Sequence, residues 1–332
     1  MSSPGNGPDI LERVTRASRP QLGYALVMVG VVAFSINAGV SRIVLHGGIN
    51  AWTLSELRAM GAAAFLLLIL LATGRRGRMR IDRSQWPRML LYGLIGLGVL
   101  QSLYFEALDR IPIGLGILIE FLAPLWVALW ARFVQNQKVR PILWPALLIT
   151  FVGLALVAGA QFRDLDPIGL ASAFGASLCF AVYFIAGERL VGEYDPFVVS
   201  FWGFLIAGVG WALASLVLPM ITQPWLVDYT AAVTLPDALG AAVVPIGLLV
   251  LWIVVMGTVL PFGTETSAMQ WVPATVVSVL AMLEPVGSAI IGRWWFDEQV
   301  SPIQMAGAAL VLCGITMAML SRAEHATPAP VE

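Results

Sequence analysis

The chain has 332 residues, 59% of them hydrophobic and only 12% charged, with a net charge of -1 at neutral pH. Soluble domains carry roughly a quarter charged residues, so this composition describes an integral membrane protein. The net charge says nothing about nucleic acid, but the arginines form no face that could grip phosphates, and no nucleic-acid partner is expected. A single lysine, Lys138, leaves no phosphate-binding G-x-x-x-x-G-K-[ST] loop, and two histidines, His46 and His325, leave no histidine metal cluster or zinc-protease motif.

Met1 to Arg19 is polar and reads as a disordered tail. Pro20 to Ser41 then runs 22 residues without a charge, too long for a signal-peptide core, and is read as a retained first span. Further spans are expected at Ala51–Thr73, Met89–Leu108, Ile111–Phe133, Pro141–Ala160, Pro167–Gly187, Phe197–Leu218, about Ala241–Met269, Pro273–Phe296 and Pro302–Leu320. A basic loop, Arg75 to Arg88, separates the second from the third, and Ile221 to Pro236 reads as an interfacial segment before the eighth. Cys179 and Cys313 both sit in apolar runs and are read as buried, unpaired thiols.

The stretch from Ala107 to Gly153 recurs, shifted by 161 residues and without a gap, from Ala268 to Gly314. Pro112, Pro124 and Pro141 fall on Pro273, Pro285 and Pro302, and Gly153 falls on Gly314. The expected fold is therefore a duplication: an all-α membrane protein of ten transmembrane helices, built as two five-helix repeats over residues 21–160 and 167–321, with tails at 1–20 and 322–332. Five spans per copy is an odd number, so the second copy is expected upside down relative to the first. With both termini in the cytoplasm, fourteen of the nineteen Lys and Arg residues lie on inner segments and four on outer ones, as the positive-inside rule requires.

Carboxylates in the hydrocarbon core cost several kcal/mol unless they face a polar cavity, pair or take up a proton. Glu120 and Glu284 lie near the middles of the fourth and ninth spans, and their positions differ by three in the repeat register, which keeps them on similar helix faces. Inversion about a central axis would point both at one cavity; the alternative is that each is a hydrogen-bonded packing residue. Glu265 lies nearer the inner end of the eighth span, with Tyr104 as its repeat partner. It is either a pathway residue or one that snorkels to the interface. Glu56 and Glu106 are placed near the outer interface, in contact with solvent. Arg58, inside the second span, needs either a glutamate partner or a substrate anion. Asn37, Gln101 and Tyr183, with Ser35 and Ser41, are candidates to line the same cavity, or to bond helix to helix. Pro124, Pro285 and Pro261 interrupt helix hydrogen bonding at depth, as hinges, binding-site breaks or structural kinks.

Several short motifs carry a resemblance across nearly the whole chain, from Leu22 to Leu320. They are Arg110-Ile111-Pro112-Ile113-Gly114 leading into Leu118-Ile119-Glu120-Phe121 and Pro124; Ser35-Ile36-Asn37 with Gly39 and Ser41; Leu57-Arg58; Tyr183 before Gly187; Leu260-Pro261 before Glu265; and Glu284-Pro285. On these the sequence resembles the EamA-type branch of the drug/metabolite transporter superfamily, and its details are most like the threonine/homoserine exporters. Glu106, where an uncharged residue is expected, and Arg42, near a lysine-bearing position, depart from that pattern.

The resemblance implies a multi-pass protein of the inner (plasma) membrane that exports small amino acids or related metabolites, driven by an ion gradient or by the substrate's own. The expected mechanism is alternating access, with Glu120 and Glu284 alternating between a proton and a substrate ammonium group and Arg58 or a broken-helix N-terminus receiving the substrate carboxylate. A broad-specificity drug exporter is the nearest alternative; a receptor, a scaffold or an intramembrane enzyme are different-class ones. No cofactor, metal or catalytic residue is expected. The partners are lipid, a small-molecule substrate and a proton, and the chain is read as a monomer or homodimer.

Overall fold

In a computed structural model of the protein, residues 20–74, 79–136, 141–158, 165–217, 222–268, 271, 280–281 and 283–320 are described. They form a bundle of apolar helices: α1 Pro20–His46, α2 Ala51–Ala72, α3 Trp86–Gly93, α4 Leu100–Arg110, α5 Ile113–Glu120, α6 Ala123–Phe133, α7 Leu143–Ala158, α8 Pro167–Glu193, α9 Pro196–Val217, α10 Ile246–Val254, α11 Leu260–Ala268, α12 Leu283–Phe296 and α13 Pro302–Leu320. Among the described residues seven helical stretches are long and apolar enough to cross a membrane, and α7 and α13 contribute shorter apolar runs. At 1.5 Å per residue about 20 residues cross the ~30 Å hydrocarbon layer. The protein is thus a mostly helical, multi-pass membrane protein.

Local chemistry sets the helix starts. Asn50 accepts the Thr53 N–H at 2.7 Å and opens α2. Asp166 accepts the N–H groups of Ile168 at 2.7 Å and Gly169 at 3.0 Å, with Pro167 at the first helical position, and opens α8. The expected first, third and sixth spans prove longer than their uncharged cores: α1 runs on to His46, the third helix begins at Arg83 and α8 reaches Glu193.

The expected eighth span starts too early. Ala232–Thr234 (β1) and Val243–Pro245 (β2) form an antiparallel hairpin, and α10 begins only at Ile246. Gly240, with φ of 81°, turns the chain, and Pro245 marks the end of the second strand. Just before the hairpin the chain folds over the start of α2, where the Gln223 N–H reaches Thr53 Oγ1 at 3.0 Å. Glu56 is consequently 5% exposed, not solvated as the sequence suggested, and its Oε2 has no partner among the described residues.

Among the described residues two π-helical turns occur: Leu94–Val99 joins α3 to α4, and Val255–Val259 joins α10 to α11. In the 161-residue register of the duplication Leu94 falls on Val255 and Gly96 on Gly257. Such turns insert one residue into a helix and gather at functional sites. The packing contacts join helices of the first half to helices of the second. α7 packs on α13, α2 on α9 and α5 on α12, while α1 packs on α11 and α12 and α8 packs on α4, α5 and α6.

Candidate functional site

The site begins at Arg58, 2% exposed about two turns into α2. Its guanidinium is held by uncharged groups: Nε donates to Thr258 Oγ1 at 2.7 Å, one terminal nitrogen to Gln101 Oε1 at 2.5 Å, and the other to the Gly257 carbonyl at 3.4 Å. The Phe105 ring lies 5.6 Å from Arg58 Cζ. Gly257 and Thr258 belong to the π-helical turn before α11, whose own Thr258 hydroxyl also donates to the Ile253 carbonyl at 2.9 Å. Pro261 has no N–H with which to supply the ordinary fourth-residue bond to the Gly257 carbonyl, which suits that oxygen to Arg58. Among the described residues no carboxylate forms an ion pair with Arg58 within 4.0 Å.

Glu120 is the last residue of α5 and is 8% exposed. Phe121 and Leu122 then form a turn, with the Leu122 N–H bonded to Ile119 O at 3.0 Å, before α6 starts at Ala123. Pro124 explains the break: it lacks the N–H that would have bonded the Glu120 carbonyl. Glu284 stands in the first turn of α12, followed by Pro285, and its carbonyl lies 3.4 Å from Ser35 Oγ of α1. Arg58, Tyr104, Glu120 and Glu284 lie within electrostatic reach of one another, and Glu265 is within reach of Glu284.

Asn37 and Tyr183 meet the two π-helical turns. A methyl group on Gly257 would sit 1.9 Å from Asn37 Oδ1, and one on Gly96 would sit 2.9 Å from Tyr183 Cα. The Tyr183 ring stacks on Tyr92 at 5.1 Å and stands edge-on to Phe262 at 6.5 Å. Glu265 lines the face of α1 at Gly30. Of the residues singled out from the sequence, Asn37, Gln101, Tyr104, Glu120 and Glu284 therefore gather around Arg58, with Tyr183 and Glu265 on the flank. Thr258 and Gly257 were not singled out. Their signal was the repeat register, which places Gly257 on Gly96.

A cavity of about 590 Å³ lies elsewhere, between α5, α12, α7 and α13, with Leu118, Pro285, Val286, Ala308 and Leu312 in its mainly apolar wall and none of the acids named above. Among the described residues no three His, Cys, Asp or Glu side chains gather as metal ligands.

The sequence pattern of the EamA-like transporter family matches residues 21–159 and again residues 167–320. This chain belongs to the EamA-like transporter family. Within that family it is 30% identical over 254 residues to the threonine/homoserine exporter RhtA of Salmonella typhimurium, covering 76% of each chain. It is 28% identical to the Escherichia coli K12 exporter of the same name over 246 residues, 74% of this chain and 75% of the relative. An uncharacterized transporter of Bacillus subtilis, YwfM, is 24% identical over 276 residues, 81% of this chain and 87% of that one. One solved crystal structure, 18% identical, superposes over 93% of this EamA-like chain and 99% of its own with a TM-score of 0.58, a likeness of fold.

Proposed function

We propose that this EamA-like transporter exports small amino acids such as threonine and homoserine from the cytoplasm by alternating access, coupled to protons. The observation that carries this reading is the state of Arg58, a buried cation bonded to neutral oxygens with two carboxylates in reach but not in contact. A buried charge is costly unless something answers it. A zwitterionic amino acid presents both charges at once: its carboxylate meets Arg58, and its ammonium group meets Glu120 and Glu284. Protonation of these acids releases the ammonium group, and their deprotonation recruits the next. Tyr104, Gln101 and Asn37 supply polar contacts to the substrate.

In this proposal the chain crosses the inner membrane ten times, with both termini in the cytoplasm, and its two five-helix halves over residues 21–160 and 167–321 are related by inversion. The paired π-helical turns and the paired helix contacts support that arrangement. Rocking of the halves, with hinges at Pro124, Pro261 and Pro285, exposes the site to each side in turn.

Uptake of labelled threonine, homoserine and other amino acids into inside-out vesicles, with and without a pH gradient, tests the reading. Accumulation of small neutral amino acids that depends on the gradient is expected; no accumulation above empty vesicles overturns it. The apolar 590 Å³ cavity favours a second reading, a broad-specificity exporter, and a panel of cationic drugs in a growth assay separates the two.

A further inference from the structure

At one end of the bundle, a single ion pair ties three chain segments together. Arg42, near the end of α1 and 7% exposed, is bonded to a Glu298 carboxylate oxygen, to the Leu108 carbonyl at 2.7 Å and to the Ile111 carbonyl. Glu298, just after α12, also accepts the N–H of Ile113, the first residue of α5, at 3.1 Å from each oxygen. The Phe296 ring stands 5.6 Å from Arg42 Cζ. Glycines let the chains close around the pair: a methyl group on Gly292 would strike the Glu298 carboxylate at 2.3 Å, and one on Gly39 would strike Ile291 and Trp295 at 2.6 Å.

A second, independent observation lies on the same two helices. Among the described residues seven buried side-chain polar atoms have no hydrogen-bond partner, and four of them are on α1 or α12: Asn37 Oδ1, Ser41 Oγ, Ser288 Oγ and Trp295 Nε1. Buried polar groups are nearly always satisfied, so a concentration of bare ones calls for an explanation beyond packing. α1 and α12 run side by side, with Ser35 against Gly287 and Gly39 against Ile291. Asn37 touches the Gly257 turn that holds Arg58, and Ser41 is the neighbour of Arg42. The bare atoms thus extend from the central cluster to the ion pair.

We propose that α1 and α12 flank a polar exit path for small zwitterionic solutes, and that the Arg42–Glu298 pair is the latch that closes its outer end. This rests on the transport reading above. Opening the path requires α1 to part from the segments at 108–113 and 298, and so requires the pair and Arg42's two backbone bonds to break together. An emerging zwitterion lowers that barrier, since its carboxylate and ammonium group replace the pair's own charges.

The test is chemical labelling from outside. In intact cells expressing the full chain with Cys179→Ser and Cys313→Ala, a single cysteine is placed at Ser41 or Ser288, and a membrane-impermeant thiol reagent is added. With the latch intact, labelling is slow; with Arg42→Gln or Glu298→Gln it is expected to rise at least about tenfold, as the closed state loses population. Equal labelling rates at both cysteines in both latch variants, for protein that remains monodisperse, overturn the proposal. Arg42→Lys, which keeps the charge but gives up the fork of backbone bonds, is the substitute where a neutral variant does not fold. It is expected to raise labelling by a smaller factor, and an unchanged rate again overturns the latch. Labelling needs no substrate, so unchanged labelling with intact amino-acid flux removes the latch alone, whereas raised labelling with no flux of any amino acid removes the transport reading alone.

Discussion

Gly96 and Gly257 hold the same position in two π-helical turns 161 residues apart, and each gives its bare backbone to a side chain or main chain from another span. The two contacts differ in what can yield. At Gly96 the neighbour is the Tyr183 backbone, so Gly96→Ala has to push two helices apart. At Gly257 it is the end of the Asn37 amide, which can turn away. Gly96→Ala is expected to cost about 1–3 kcal/mol, the usual range for overpacking, and to lower the unfolding temperature measurably in detergent. Gly257→Ala is expected to affect stability less and transport more, because it displaces Asn37 beside the Arg58 cluster.

Arg58 tests whether geometry or charge alone matters at the centre. A lysine keeps the charge but cannot span Gln101, Thr258 and the Gly257 carbonyl with a planar fork. Hydrogen bonds to a charged group are worth about 1.5–3 kcal/mol, so Arg58→Lys is expected to reduce transport by roughly 10- to 100-fold while the protein still folds. Transport rates in vesicles, with amounts matched by immunoblot, give the comparison; near-normal rates in the lysine variant mean that the fork is not used.

Outside the membrane, Asp166 carries a pH signature. The Gly169 N–H above all, and then the Ile168 N–H and Arg110, hold its carboxyl below the ordinary value. A depressed carboxylate contributes stability that is fully present above the unfolded-state value, about 3.9, and is lost as the pH falls through the folded one. Unfolding temperatures of wild type and Asp166→Asn are expected to differ by a constant amount near neutral pH and to converge below about pH 4. A gap that persists in acid assigns the effect to the cap's shape instead of its charge.

The proposed topology places Arg83 on the cytoplasmic side and Asp297 on the outer side. A cysteine at Arg83 is expected to react with an impermeant reagent only in opened or inside-out membranes, and one at Asp297 only in intact cells. The reverse pattern contradicts the inside bias of the arginines.

Much of this architecture is legible in the sequence because lipid imposes a simple rule: a span is an uncharged run, and every exception stands out. Glu120, Glu284, Glu265 and Arg58 were visible as exceptions, and Pro124 announced the break after Glu120. What escaped depends on how distant segments meet. Arg42 stood out only as a departure from the exporter pattern, and nothing near it names Glu298, 256 residues away, as its partner. The hairpin before α10 was hidden because Val243 and Val244 extend the apolar run of the following helix, so composition alone could not show where strand gives way to helix. Glu56 looked solvated because burial there comes from a segment almost 170 residues later, where Gln223 reaches Thr53.

The central claim is that Glu120 and Glu284 carry protons and the substrate's ammonium group in alternation beside Arg58. The most direct measurement is the rate of labelled threonine and homoserine uptake into inside-out vesicles across a pH series, for wild type, Glu120→Gln and Glu284→Gln. The account predicts that wild-type uptake varies with pH, and that each glutamine variant loses that dependence along with most of its rate. Normal uptake by both variants at every pH would contradict it.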